Sequence, residues 1–303
     1  MGRLLEDQLD PDLVVRRDLA YTLHNYAPRK PLPRKKRPKS QEPPTHVVIG
    51  DLQIKPGVDT RNLDWIGSFI ADEFAGHKNV KLKMIGDGAD MESLSMYDRG
   101  KKEMEGRRFV ADIDAFNEAW ARIDSYIKPV LDPSWEEDVF LGNHEWRIAR
   151  AASENPQLDG LLSLDLLDWK GWKVHDFLEV VEDDGVHYSH YFHPVQSSRP
   201  YSGSNIELRL QKIGRSFTMG HQQGLLHGVR NVLGTLQHGL VVGSSYLHSE
   251  DYLGFQGNNH WRGIVVCHQV ENGDYDPQFV SLDYLCRRYE GIRLSEYLEK
   301  TAA

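Results

Sequence analysis

From His46 onward two hydrophobic periods alternate along the chain. HVVIGD (46–51), VKLKMIGD (80–87) and EDVFLGN (137–143) are compact apolar runs that stop near a glycine, the pattern of buried strands. Between them RNLDWIGSFIADEFAG (61–76) reads as a helix. Ile113, Phe116, Trp120, Ile123 and Ile127 recur at three- and four-residue spacing in a second one. A further helix is expected just after residue 143. Strands alternating with helices predict a largely parallel sheet covered by helices. The C-terminal half instead carries successive strand-like runs: VHYSHYFH (186–193), RSFTMG (215–220), HGLVVGS (238–244), RGIVVCHQV (262–270) and QFVSLDYL (278–285). The expected fold class is α/β with mixed sheets, in one domain over 46–290 followed by a tail at 291–303.

Upstream the pattern changes. Leu5, Leu9, Leu13 and Leu19 among charges predict a helical segment within 1–27, and a basic Pro-rich linker follows at 28–45. Its densest part, RKPLPRKKRPK (29–39), is either a solvated spacer that proline keeps extended or an arm for a phosphate backbone. Such an arm adds salt-dependent affinity without sequence preference. The whole chain is acidic, with a net charge of −9 over 303 residues, which argues against a globally basic nucleic-acid binder. It has no apolar run of membrane-spanning length, so no membrane partner is expected. MGRLLEDQLD lacks the apolar core of a secretory signal, and two cysteines, Cys267 and Cys286, are too few for a disulfide framework or a cysteine zinc site. A cytoplasmic setting is expected.

Candidate chemistry sits at the strand ends. GDLQ (50–53), GDGAD (86–90) and GNHE (142–145) each follow an apolar run. In open α/β sheets functional groups gather beyond the carboxyl ends of the strands. One Gly-Asp pair is ordinary turn chemistry. Three comparable turns at successive strand ends point to a shared site. Asp and Asn offer hard oxygen ligands, and His the borderline nitrogen that suits Mn, Fe or Zn.

These motifs, followed by a histidine-bearing run and GHQQ (220–223), resemble the calcineurin-like metallophosphoesterase superfamily. Its motifs run D-x-H, GDxxD, GNH-(E/D), a strand-end His and GHxH, in that order. The likeness covers roughly residues 46–285, and SSYLHSEDYLGFQGNNHWRGI (244–264) resembles phage-encoded members. It implies a four-layer αββα sandwich, a two-metal centre at the sheet edge and, for a phage protein, residence in the host cytoplasm. Carried over by position, Asp87 bridges both metals and Asp51 binds the first. Asn143, His221 and a strand-end histidine bind the second. His193 is placed for that last role, with His190, three residues earlier, as its competitor. His144 protonates the leaving oxygen, and Asp90 orients His144 or a ligand.

Two positions depart from the family pattern. Gln53 and Gln223 stand where the family has histidines, and both of those histidines serve the first metal. An amide oxygen is a weaker donor than imidazole toward Zn or Fe, yet acceptable to Mg or Mn. The first site is therefore expected to be the weaker one and Mn the expected metal, with Mg, Fe, Ni and Zn as alternatives. Otherwise the two glutamines only hydrogen-bond their loops, or His227 or His248 supplies a replacement ligand. Arg147, one turn past GNHE, is the candidate for a phosphate contact and Arg199 a lesser one. His260 and Trp261 are candidates for the pocket wall.

Two divalent ions about 3.5–4 Å apart neutralise a phosphate ester and lower the pKa of water, and a positioned acid supplies the leaving proton. The expected function is a metal-dependent phosphoesterase. It acts on phosphodiesters of nucleic acid or nucleotides, with arm 29–39 as a nucleic-acid contact, or on phosphomonoesters. The alternatives are a protein or small-molecule phosphatase, and a non-catalytic binding module with a degenerate first site.

Overall fold

The computed structural model describes residues 42–250 and 253–301; the helical segment expected within 1–27 and the basic arm 29–39 lie outside them. In chain order the strands are β1 (Thr45–Ile49), β2 (Val80–Met84), β3 (Glu136–Phe140), β4 (Lys173–His175), β5 (Val181–Asp183) and β6 (Val186–Tyr188). They continue with β7 (Ser216–Met219), β8 (Leu226–Val232), β9 (Thr235–Val241), β10 (Gly263–Glu271) and β11 (Asp274–Ser281). The longer helices are α1 (Arg61–Phe74), α2 (Phe109–Ile127), α3 (Trp146–Glu154), α4 (Ile206–Ile213), α5 (Leu282–Glu290) and α6 (Leu294–Thr301).

The strands form two mixed sheets. One has the order β11-β10-β1-β2-β3-β4, the other β5-β6-β7-β9-β8. β1 to β4 run parallel, as the crossover helices α1 and α2 require, and β10 and β11 join them antiparallel. In the second sheet β6, β7 and β9 are parallel and the edges β5 and β8 antiparallel.

Side-chain alternation along the strands sets the layers. Val47 and Ile49 of β1, with Ile264 and Val266 of β10, pack against Ile66 and Ile70 of α1, Phe116 and Trp120 of α2, and Leu285 of α5. Val48, Val265 and Cys267 point the opposite way and meet Tyr188, Leu240 and Val242 of the second sheet. On that sheet's far face Phe217, Met219 and Val241 pack against Ile206 and Leu210 of α4. These apolar layers are compatible with a sandwich of helices, sheet, sheet and helix.

The hydrophobic pattern misleads in two places. LDYL, the end of an expected strand, opens α5, because Ser281 caps it: its Oγ accepts the Tyr284 N–H at 3.1 Å. β6 ends at Tyr188, so the run 186–193 leaves the sheet after three residues. Within the expected tail, α6 sets Tyr297 edge-on to Trp65 at 5.1 Å and gives its hydroxyl to Asp59 at 2.9 Å. Among the described residues no helix is long and apolar enough to cross a membrane.

Candidate metal centre

The carboxyl ends of parallel strands from both sheets converge. β1 leads to Asp51, β2 to Asp87 and β3 to Asn143, while β6 leads to His190 and β7 to His221. Close approach requires glycine here. A Cβ on Gly142 would overlap the Asp87 carboxylate, and one on Gly86, itself at φ 83°, would lie 2.6 Å from His190 Nδ1. Asp87 is held in the left-handed region at φ 51°, a strain that folded proteins retain where the surroundings enforce it.

The Asp87 carboxylate takes the His144 backbone N–H on Oδ1 at 2.9 Å, and its Oδ2 lies 3.4 Å from His190 Nε2. Asn143 Oδ1 lies 3.0 Å from the same Nε2 and 2.8 Å from His221 Nδ1. Ligand-capable atoms of Asp87, His190 and His221 fall within 4.8 Å of one another. His190 Nδ1 sits 2.7 Å from the Ile85 carbonyl, which can only accept, so Nδ1 carries the hydrogen and Nε2 is left for an ion. A backbone carbonyl orienting the far nitrogen is how histidine ligands are usually held. One carboxylate, one amide oxygen and two imidazoles suit Mn, Fe, Ni or Zn.

Charge in the cluster is unevenly met. Burial first, and the like charge of Asp87 second, pushes the Asp51 carboxyl up to about 8. Burial also opposes ionisation of Asp87, but His144 and His190 outweigh it and hold that carboxyl below its usual range. For His190 burial is again the largest influence, yet Asp87 and Asp51 overcome it and lift the imidazole to about 9. Burial, then His190, pushes His221 down to about 4. Asp51 Oδ1 accepts the His221 N–H at 3.1 Å. Asp51 Oδ2 and Gln53 Oε1 are buried with no hydrogen-bond partner among the described residues. Orphaned buried oxygens are costly, and two from one loop fit a hard cation. Gln223, expected beside them, has its Oε1 accepting the Tyr246 hydroxyl at 2.6 Å.

His144 stands next to the cluster. Its Nδ1 is 2.8 Å from Asp90 Oδ1, and its Nε2 is 3.8 Å from Asp87 Oδ2. Burial lowers its pKa, but Asp87 and Asp90 outweigh burial and raise it. Asp90 is itself held by Lys55 at 3.1 Å, and Lys55 also pairs with Glu250 at 3.0 Å. Arg147 donates to the carbonyl of Asp90 at 2.9 Å and, with Nη2 3.3 Å from His144 Nε2, to that ring, so it ties the Asp90 loop to His144.

One expected ligand is displaced. His193 is exposed, with Nδ1 on the Pro194 carbonyl at 3.0 Å, whereas the fully buried His190 occupies the cluster. The physical reason is that β6 stops at Tyr188, which makes His190 the strand-end histidine. The substitute histidines are engaged elsewhere, His227 with His238 at 3.3 Å and His248 with Glu250 at 2.8 Å. Arg199 is exposed, His260 bonds Ser244 at 2.8 Å, and Trp261 packs against the core between the sheets.

A residue with no role in the sequence reading organises the site. Glu145, fully buried, accepts the N–H groups of Asp87 at 3.1 Å, Ala89 at 2.8 Å and Gly142 at 2.8 Å. It ties GDGAD to GNHE, and its signal was the acidic fourth letter of the latter motif. No family model matches the chain, and no curated protein matches it.

Proposed function

We propose that this chain is a metal-dependent phosphoesterase of the calcineurin-like type, built on a four-layer αββα sandwich. The observation that carries the reading is the convergence of Asp87, Asn143, His190 and His221 beside the His144–Asp90 pair. Those four residues would hold one divalent ion, and Asp51 and Gln53 with Asp87 a weaker second, Mn being the foremost metal. When bound, the ions neutralise phosphate charge and activate water near neutral pH. The remaining work falls to the chain. Asp90 accepts His144 Nδ1–H and fixes the ring, and Nε2, which takes an N–H of Arg147 at 3.3 Å, is the atom through which His144 would pass a proton to the leaving oxygen. Glu145 keeps both ligand loops in register. The substrate is a phosphoester, with nucleic acid or a nucleotide preferred and arm 29–39 as an added contact.

The test is elemental analysis paired with bis-p-nitrophenyl phosphate turnover across Mg, Mn, Fe, Ni and Zn. Metal-stimulated turnover is expected, and His144→Asn should lower it by about 10²–10⁴-fold while leaving metal content unchanged. A second reading, a binding module with a single ion, is favoured by the engagement of Gln223 with Tyr246. One tightly held ion and no turnover under any addition would put that reading first.

A further inference from the structure

The aromatic rings at the cluster continue outward in a row. Tyr191 lies 4.8 Å from His221 and meets Phe177 edge-on at 5.6 Å and 81°. Phe177 in turn stacks on Trp146 at 5.6 Å and 29°. Trp146 is the first residue of α3, directly after GNHE, and is 36% exposed. One face of the indole is covered by Phe177, which is itself packed against the core, and the other side remains open to solvent. Exposed His193 flanks the row, 6.4 Å from Tyr191. One turn further along α3, Arg150 is exposed and its charge acts on the Tyr191 hydroxyl. The row therefore runs from the ligand-capable histidines to solvent, ends in an indole and has a cation beside it.

We propose that Trp146, backed by Phe177, forms a stacking shelf for a nucleobase, so that the phosphoester handled at this site belongs to single-stranded nucleic acid. The inference rests on the phosphoesterase reading and names its substrate class. A base offers a flat π-face whatever its identity, so aromatic stacking binds single strands without sequence preference. Duplex bases are already stacked on one another and offer no free face. Arg150 supplies attraction to a neighbouring phosphate of the same strand, and that part of the affinity falls with salt. A peptide or small phosphomonoester would leave the shelf unused.

The experiment measures binding by fluorescence anisotropy, using the full chain with Mn²⁺ on a His144→Asn background so that the strand survives. The probes are labelled oligothymidine and an abasic phosphodiester strand of equal length. The base-bearing strand should bind about tenfold tighter, which is about 1.4 kcal/mol and within the range for one stacked base. Trp146→Ala should remove that preference without changing abasic binding, and Trp146→Phe should restore most of it. Equal affinity for the two strands in the parent overturns the shelf without recourse to any variant. So does a Trp146→Ala loss that falls equally on both strands. Failure of the underlying reading looks different: the preference for bases persists, while the unsubstituted chain hydrolyses no phosphoester with any metal.

Discussion

Among the described residues acids and histidines gather closely enough to resemble metal sites in two places, the second made of two groups that share Asp183. One is the candidate centre at the carboxyl ends of the parallel strands. The other lies toward the amino ends of β1 and β6, where His46, Asp138, Asp183 and Asp184 come together. In that second cluster Lys83, 1% exposed, reaches Asp138 at 2.5 Å and Asp183 at 2.6 Å. Lys81 reaches Asp184 at 2.7 Å, and His175 reaches Asp138 at 2.8 Å. Its carboxylates are matched by cations the chain supplies. At the candidate centre, among the described residues, no lysine or arginine is ion-paired with Asp51 or Asp87, and two oxygens are orphaned. The number of acids and histidines is a poor guide to a metal site. What meets their charge differs: lysine ammonium groups in one cluster, only histidines in the other, which is where the proposed divalent ion would enter.

The sharpest way to break this contrast is Lys83→Met. It leaves Asp138 and Asp183 short of their shared ammonium and should cost about 3–5 kcal/mol in chemical denaturation, with metal content unaffected. A neutral result would mean that the lysine network is no brace at all. Next in size is the response to a divalent ion. Mn²⁺ at about 100 times its Kd should stabilise the protein by about 2.7 kcal/mol, read as a shift in unfolding free energy. His190→Gln should abolish the gain and His46→Gln should keep it; the reverse pattern would exchange the roles of the clusters.

The smallest effect is that of pH. Neutral His46 serves two partners at once, giving Nε2–H to Asp184 at 2.9 Å and taking the Tyr188 hydroxyl on Nδ1 at 2.6 Å. Burial, its largest influence, lowers the His46 pKa below the unfolded value. The contribution is then present above about pH 6.5 and lost as pH falls below it. One proton limits the slope to about 1.4 kcal/mol per pH unit. His46→Gln should flatten the wild-type decline between about pH 7 and 5 by up to that amount. An unchanged slope would remove His46 from the network's titration.

Much of this architecture was legible in the sequence, because β1, β2 and β3 are short apolar runs closed by glycine and α1 and α2 carry a clear helical period. The convergence of Asp51, Asp87 and Asn143 followed from their places at strand ends, and His221 was added to them by the resemblance of GHQQ to a family motif. His190 was ranked behind His193 because the run VHYSHYFH shows no break after Tyr188, and a strand's end is set by pairing with its neighbour, here β7. The lysine network escaped for a related reason. VKLKM reads as a buried apolar strand, and nothing in it tells that Lys83, in register with Val48, faces the second sheet.

The bond between the His221 N–H and Asp51 spans 170 residues of sequence, and that between His221 and Asn143 spans 78. Asp51, Asp87 and Asn143 follow strands of the first sheet, and His190 and His221 follow strands of the second. The cluster exists only while the two sheets stay face to face, so loosening the apolar layer between them would open the site with no change to any residue in it.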